Sequence, residues 1–173
     1  MSDIPNPDEI EATIRKAESG DIYAQRDLAS WYLDGLGMER DPARAAYWFR
    51  QAANAGDTHA CYMLAFRYDR GDGVEQDDAQ ALHWFEKSAA DDGRYALYQV
   101  GRAYFLGKGT EINLQKAAEY FKKAAEAEHP EACYYYGLCL VKGFGVPQDV
   151  DMGLSYIEKA SKEGNEEAQR FLD

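Results

Sequence analysis

Cysteine, positive charge and long apolar runs are all scarce in this chain of 173 residues. Cys61, Cys133 and Cys139 form no regular framework and leave an odd thiol over, which argues against a disulfide-stapled secreted scaffold and for reduced cysteines used as small packing groups. Lys and Arg total 19 against 31 Asp and Glu, a formal net charge of -12. Such a surface repels a phosphate backbone, so nucleic acid is not an expected partner. No apolar run approaches the ~18 residues that a membrane-spanning helix needs. The start, Met-Ser-Asp-Ile-Pro-Asn-Pro-Asp-Glu-Ile, has neither the basic nor the apolar region of a signal peptide, so no membrane contact and a cytoplasmic location are expected. What is present suffices for a core: 46% of residues are hydrophobic and 13% aromatic, a composition far from that of disordered chains. The length suits about one domain.

Self-similarity dominates the sequence. Ala24, Ala60, Ala96, Ala132 and Ala168 recur at a constant interval of 36 residues. In the same register stand the glycine pairs Gly35 and Gly37, Gly71 and Gly73, Gly107 and Gly109, Gly143 and Gly145. Trp48, Trp84, Tyr120 and Tyr156 form an aromatic column, followed by Phe49, Phe85, Phe121 and Ile157. The spacing predicts four repeats, 21–56, 57–92, 93–128 and 129–164, flanked by half-repeat caps at 8–20 and 165–173, in a single domain.

Each repeat reads as two helices. Ala24, Leu28, Ala29 and Tyr32 share a stripe of helical spacing, which predicts a helix A. Gly35 stops it, because glycine reaches the left-handed conformation of a helix C-terminus without strain. Asp41 is placed to cap helix B, with Pro42 at the first helical position, and Asp77, Asn113 and Asp149 repeat the cap. Ala45, Trp48, Phe49, Ala52 and Ala53 form the apolar stripe of helix B.

Written out for one unit, the motif is Ala60-x3-Leu64-x3-Tyr68-x2-Gly71-x-Gly73-Val74-x2-Asp77-x3-Ala81-x2-Trp84-x2-Lys87-x-Ala89. It resembles the Sel-one-like repeat (SLR) family, relatives of the tetratricopeptide repeats, whose own period is about 34. The resemblance covers residues 8–173. Departures are local: Leu140 stands for the tyrosine, Gly153 for the helix B alanine, Ser88 for another alanine and Thr110 for the apolar residue after a glycine pair. The resemblance implies an all-α fold, a right-handed α-solenoid of about ten helices, used as an adaptor for a protein or peptide partner without cofactor or catalysis. A cysteine-rich branch of the family is associated with penicillin binding and β-lactam hydrolysis. Its regular cysteine pairs are absent here, and none of the serines begins a Ser-x-x-Lys motif.

By the same analogy, helix A lines the concave side and its non-core columns face a groove. Those columns supply Arg26, Tyr62, Tyr98 and Tyr134, then Phe66 and Arg102, then Tyr95, and further along Phe105 and Arg70. Tyr and Arg concentrate binding energy at interfaces, so these residues are the candidate partner-binding set. The alternative is that the tyrosines pack between neighbouring A helices, and both roles are open to Tyr62, Tyr98 and Tyr134. A second functional reading is an acidic inhibitory partner, an immunity or anti-defence protein masking a basic toxin or nuclease, whose binding weakens with salt. The charged end caps speak for a monomer.

Other chemistry finds little support. The glycine pairs lack the Lys and Ser/Thr of a phosphate loop, and the acidic stretch from Asp69 to Asp78 misses the spacing of a calcium loop. His129 and Cys133 sit four apart but Cys139 points elsewhere, short of a tetrahedral metal site, and His129 reads instead as a helix-start residue before Pro130.

Overall fold

Among the described residues Asp or Asn opens eight of ten helices, and a left-handed glycine closes four of them. The computed structural model describes residues 4–91 and 93–173. The first three residues of the chain start and Asp92, the last residue of the second repeat read from the sequence, lie outside the described residues. The described residues form α1 (Pro7–Glu18), α2 (Ile22–Asp34), α3 (Pro42–Asn54), α4 (Thr58–Arg70), α5 (Asp78–Ser88), a 3-10 turn (Ala89–Asp91), α6 (Arg94–Leu106), α7 (Leu114–Glu126), α8 (Pro130–Lys142), α9 (Val150–Lys162) and α10 (Glu166–Leu172), and no strand. They fall into two compact units, Met1–Lys87 and Ser88–Asp173.

The turn inside each repeat is built the same way. The left-handed glycine after helix A has φ between 67° and 71° at Gly35, Gly71, Gly107 and Gly143. Two residues later the chain comes so close to the preceding helix B that a Cβ on Gly73 would lie 2.1 Å from the Pro42 carbonyl oxygen, and one on Gly145 2.1 Å from that of Leu114. At Gly73 and Gly145 the second glycine of the pair is therefore required by packing against the previous repeat, whereas the first glycine serves helix termination. The capping residue of helix B then donates its own N–H to a carbonyl near the end of helix A: Asp41 to Tyr32, Asp77 to Tyr68, Asn113 to Tyr104 and Asp149 to Leu140, at 2.8 to 3.1 Å. Because this bond uses backbone atoms, Leu140 closes the turn as well as a tyrosine does.

In the first unit the core runs through Ala24, Leu28 and Ala29 of α2, Ala45, Ala46, Phe49 and Ala52 of α3, and Ala60, Leu64 and Ala65 of α4. Helix α1, capped by a reciprocal Asn6 and Glu9 box, packs Ala17 and Ile14 onto this stripe. In the second unit the core runs through Ala96, Leu97 and Val100 of α6, Ala117, Phe121 and Ala124 of α7, Ala132, Cys133 and Leu140 of α8, and Ile157 and Ala160 of α9. One column loses its side chain altogether. Ala29 and Ala65 of the first unit correspond to Gly101 and Gly137 of the second. A Cβ on Gly101 would meet the Phe121 ring at 2.7 Å, and one on Gly137 the Gly153 carbonyl oxygen and Ile157 at 2.7 Å. Gly153, which departs from the repeat alanine, faces Gly137 reciprocally, so the backbones of α8 and α9 touch where other repeats keep a methyl group between them.

Candidate functional site

Helix α6 carries Tyr95, Tyr98, Arg102 and Phe105 at helical spacings of three and four, so all four lie on one face. The next A helix, α8, brings Tyr134 and Tyr135, and His129 stands at its N-cap. The rings join into one network. Tyr98 stacks on His129 with centroids 4.5 Å apart and lies 6.0 Å from Tyr135. Phe121 of α7, fully buried, backs the network: Tyr135 stacks on it at 5.2 Å, with Tyr98 and Phe105 each at 6.1 Å. Tyr95 meets the edge of His129 at 5.1 Å, Tyr134 meets Tyr135 at 5.4 Å, and Phe144 of the following turn reaches Phe105 at 6.4 Å. Gly101 is what allows the Phe121 ring to approach α6 so closely. Phe121 and His129 are buried, Tyr98, Phe105, Tyr134 and Tyr135 are half-buried, and Tyr95 at 53% and Phe144 at 40% are open to solvent.

Two arginines cover tyrosine rings of α6. The Arg94 guanidinium lies 5.0 Å from the Tyr95 centroid and donates to the Tyr95 hydroxyl and to the Glu128 carbonyl oxygen, each at 3.2 Å. Arg102 lies 5.7 Å from the Tyr98 centroid and donates to Gln99 Oε1 at 3.2 Å. Burial pushes the Tyr98 phenol up to about 12, opposed by Arg102 and reinforced by Tyr135, Glu131 and Glu167. Burial likewise holds the His129 imidazole below its ordinary value, against the pull of Glu131 and helped by Arg94. Its Nδ1 accepts the Ala132 N–H at 3.4 Å as the cap of α8 and lies 3.1 Å from Glu131 Oε2. His129 thus serves as a helix-start residue. The thiols of Cys61 and Cys133 donate to the Ala53 and Ala125 carbonyl oxygens at 3.9 and 3.8 Å, and burial lifts Cys139 to about 11, none of which suits a nucleophile. Among the described residues no cluster of His, Cys, Asp and Glu has the disposition to hold a metal ion.

The candidates in the first unit meet a different fate. Tyr62, Phe66 and Phe85 form a closed triangle of edge contacts at 4.8 to 5.8 Å, with Arg70 5.2 Å from the Phe66 ring. Arg26 reaches across to Asp57 at 3.2 Å, so its charge is spent on the cap residue of α4. The open spaces of this unit lie elsewhere, in a cavity of about 370 Å³ against Tyr32 and Arg44 and one of about 510 Å³ against Tyr68 and Arg50, at equivalent places in successive repeats. In both, the tyrosine hydroxyl accepts from the arginine, at 3.2 and 2.8 Å.

Column-by-column reading of the repeat names Phe121 as a core residue and passes over Tyr135 and Phe144. Tyr135 shares its column with Asp27, Met63 and Gln99, and Phe144 shares its own with Leu36, Asp72 and Lys108. Their signal is a departure from the repeat, an aromatic residue where other units are polar or aliphatic.

Helix pairs repeated with one turn geometry and one core register define an all-α protein of the helix-turn-helix solenoid class. The Sel1 repeat family model matches residues 22–57, 58–92, 94–129 and 130–165, and the chain belongs to that family. Among solved structures it is similar to a protective antigen of uropathogenic Escherichia coli with an SLR fold, at 34% identity and a TM-score of 0.85 over 92% of this chain and 34% of the other. It is also similar to a Sel1 repeat protein from Oxalobacter formigenes, at 27% identity and a TM-score of 0.87 over 95% of this chain and 68% of that one. Cysteine rich protein B of Helicobacter pylori shares the fold at 21% identity and a TM-score of 0.58, over 76% of this chain and 95% of that one. The chain thus spans about a third of the length of the Escherichia coli structure. No curated protein matches it. Members of the family generally act as protein-interaction modules and are typically non-catalytic scaffolds. No described helix is long and apolar enough to cross a membrane.

Proposed function

We propose that this chain is a non-catalytic protein-interaction module whose second unit binds a peptide, helix or protein surface on the α6–α8 face. One observation carries the reading: a continuous network of aromatic rings, rigidly backed by buried Phe121, whose outer members Tyr95 and Phe144 lie open beside half-buried Tyr134. Rings held in place by their neighbours lose little entropy on binding, and large flat groups with a polar tip are what interface anchors consist of. The first-unit candidates Tyr62, Phe66 and Arg26 then serve mainly to join helices, and Arg70 covers the Phe66 ring of its own helix.

The inhibitory reading rests on acidic charge. Acidic residues number 17 against 9 basic ones up to Lys87, and 14 against 10 from Ser88 onward, so net charges of -8 and -4 fall on the two units. Much of the excess in the first unit has a structural task. Asp21, Asp41, Asp57 and Asp77 each cap a helix, and Asp72 pairs with Arg67 at 2.8 Å. The charge therefore does not by itself call for a basic partner.

The test is capture from lysate by the full chain and by a Tyr95→Ala/Tyr134→Ala variant, two outer rings whose loss leaves the Phe121 backing in place. A protein retained by the native chain and lost by the equally helical variant is expected. Equal retention overturns the face, and retention abolished by moderate salt but indifferent to the tyrosines favours the inhibitory reading.

A further inference from the structure

Arginine pairing on this acidic chain is uneven. Arg15, Arg26, Arg40, Arg44, Arg67 and Arg170 each stand within 4 Å of a carboxylate. Among the described residues the other four, Arg50, Arg70, Arg94 and Arg102, do not: Arg50 donates to the Tyr68 hydroxyl, Arg70 lies over the Phe66 ring, and the partners of Arg94 and Arg102, which share helix α6, are a carbonyl, a phenol, an amide and the two tyrosine rings beneath them. With acidic residues outnumbering basic ones 31 to 19, two exposed guanidinium groups without a carboxylate on the same helix face stand out. Resting on the reading that this face binds a partner, we infer that its ligand is an acidic peptide, with an apolar side chain seated on Tyr95, Tyr98 and Tyr134 and a carboxylate held by Arg94 and Arg102.

Stacking on a ring fixes the plane of a guanidinium and leaves N–H groups at its edge for a carboxylate fork, a geometry an ammonium group does not offer. An exposed ion pair alone contributes little, but one formed beside a ring that is being covered loses its water and strengthens. The opposite rim carries carboxylates, Glu131 of α8 and Glu167 of α10, whose fields act on Tyr98 against that of Arg102. They repel an acidic side chain and confine it to the α6 edge, so attraction on one rim and repulsion on the other orient the peptide. The overall charge of -12 slows the approach of such a ligand without removing the contacts it makes on arrival.

The experiment is to pan a displayed library of random 12-residue peptides on the full chain at about physiological salt. An enriched peptide is then labelled with fluorescein and its Kd measured by anisotropy. Enriched sequences combining Asp or Glu with an aromatic or aliphatic residue are expected. The Arg94→Ala/Arg102→Ala variant should weaken their binding at least about tenfold and Arg102→Glu more, while Arg70→Ala on the first unit changes nothing. Acidic peptides indifferent to both arginines overturn the inference, as does an absence of enrichment. Basic peptides that lose binding on Tyr95→Ala/Tyr134→Ala sink the acidic ligand and leave the face standing. Peptides indifferent to those tyrosines sink both.

Discussion

The two units are built from one repeat and differ in how they fill it. In the first, alanine at Ala29 and Ala65 keeps helix A one methyl group away from helix B, and the cap residues before α2 and α4 are aspartates. In the second, Gly101 and Gly137 remove that methyl group, and the caps before α6 and α8 are Gly93 and His129. The exchange trades polar capping for aromatic packing: the space of two methyl groups goes to the Phe121 ring and to the α8–α9 contact, and the imidazole joins the ring stack. A repeat protein can thus keep its turns identical and specialise one segment by changing only what lies between them.

The largest expected effects come from the paired rings Phe49 and Phe121, both fully buried in the same column. Truncating either to alanine should cost about 3–5 kcal/mol in urea unfolding followed by circular dichroism. Only Phe121→Ala should also abolish the near-ultraviolet signal of the stacked tyrosines. Equal near-ultraviolet losses would show that the network in the second unit has no special dependence on its backing ring.

Swapping the column that separates the units sharpens the contrast. Gly137→Ala forces a methyl group to within 2.7 Å of the Gly153 carbonyl oxygen, and about 1–3 kcal/mol of destabilisation is expected. The reverse change, Ala65→Gly, overpacks nothing and should cost only about 1 kcal/mol through helix propensity. If Gly137→Ala proved neutral, the close approach of α8 and α9 would have to be slack.

Acid distinguishes the caps. Burial lowers the folded-state affinity of His129 for a proton, so the unfolded chain binds more protons than the folded one below the ordinary histidine value of about 6.5. Stability is then full above that pH and falls as the pH drops from there to the lowered folded value. Protonation at Nδ1 would remove the acceptor that caps α8. Glu131, at 3.1 Å, moderates the loss and Arg94 aggravates it. His129→Asn, which keeps a capping oxygen, should flatten the stability profile between about pH 5 and 7. An unchanged slope would place the titrating group elsewhere.

The scaffold was open to reading from the sequence because its signals repeat: the glycine pairs, Asp41 and its equivalents, and the alanine columns each appear several times and correspond to turns, caps and buried stripes in the structure. Tyr95, Tyr98 and Phe105 were also legible as one face of α6, since helical spacing alone gathers them. What joins them was not. Tyr135, Phe144 and the glycines at 101, 137 and 153 are single departures, and a departure carries no message until the neighbour that needs it is known. The split between units was hidden for a related reason. Arg26 and Tyr98 share a column, yet one is paired to Asp57 and the other stacked on His129, because the column into which each reaches has changed.

The smallest effects lie at the helix starts where the Gly-Asp pattern of residues 20–21 and 56–57 is lost. Glu128 stands where Gly20, Gly56 and Gly164 do, and holds φ at 62°, the only described non-glycine residue with positive φ. Side chains are strained there, so Glu128→Gly should stabilise by up to about 1 kcal/mol, although glycine also gains freedom in the unfolded chain. At α6 the N-cap Gly93 supplies no side-chain acceptor, and its φ of -61° with ψ of 103° is a conformation that Asp21 and Asp57 adopt while capping. Gly93→Asp should therefore restore the missing hydrogen bond without backbone strain. Because glycine is itself a tolerated cap, the expected gain is only a few tenths of a kcal/mol, with added protection of the first α6 amides in hydrogen exchange. A loss of stability instead would mean that the carboxylate is unwelcome at this helix start, despite the favourable dipole and the adjacent Arg94.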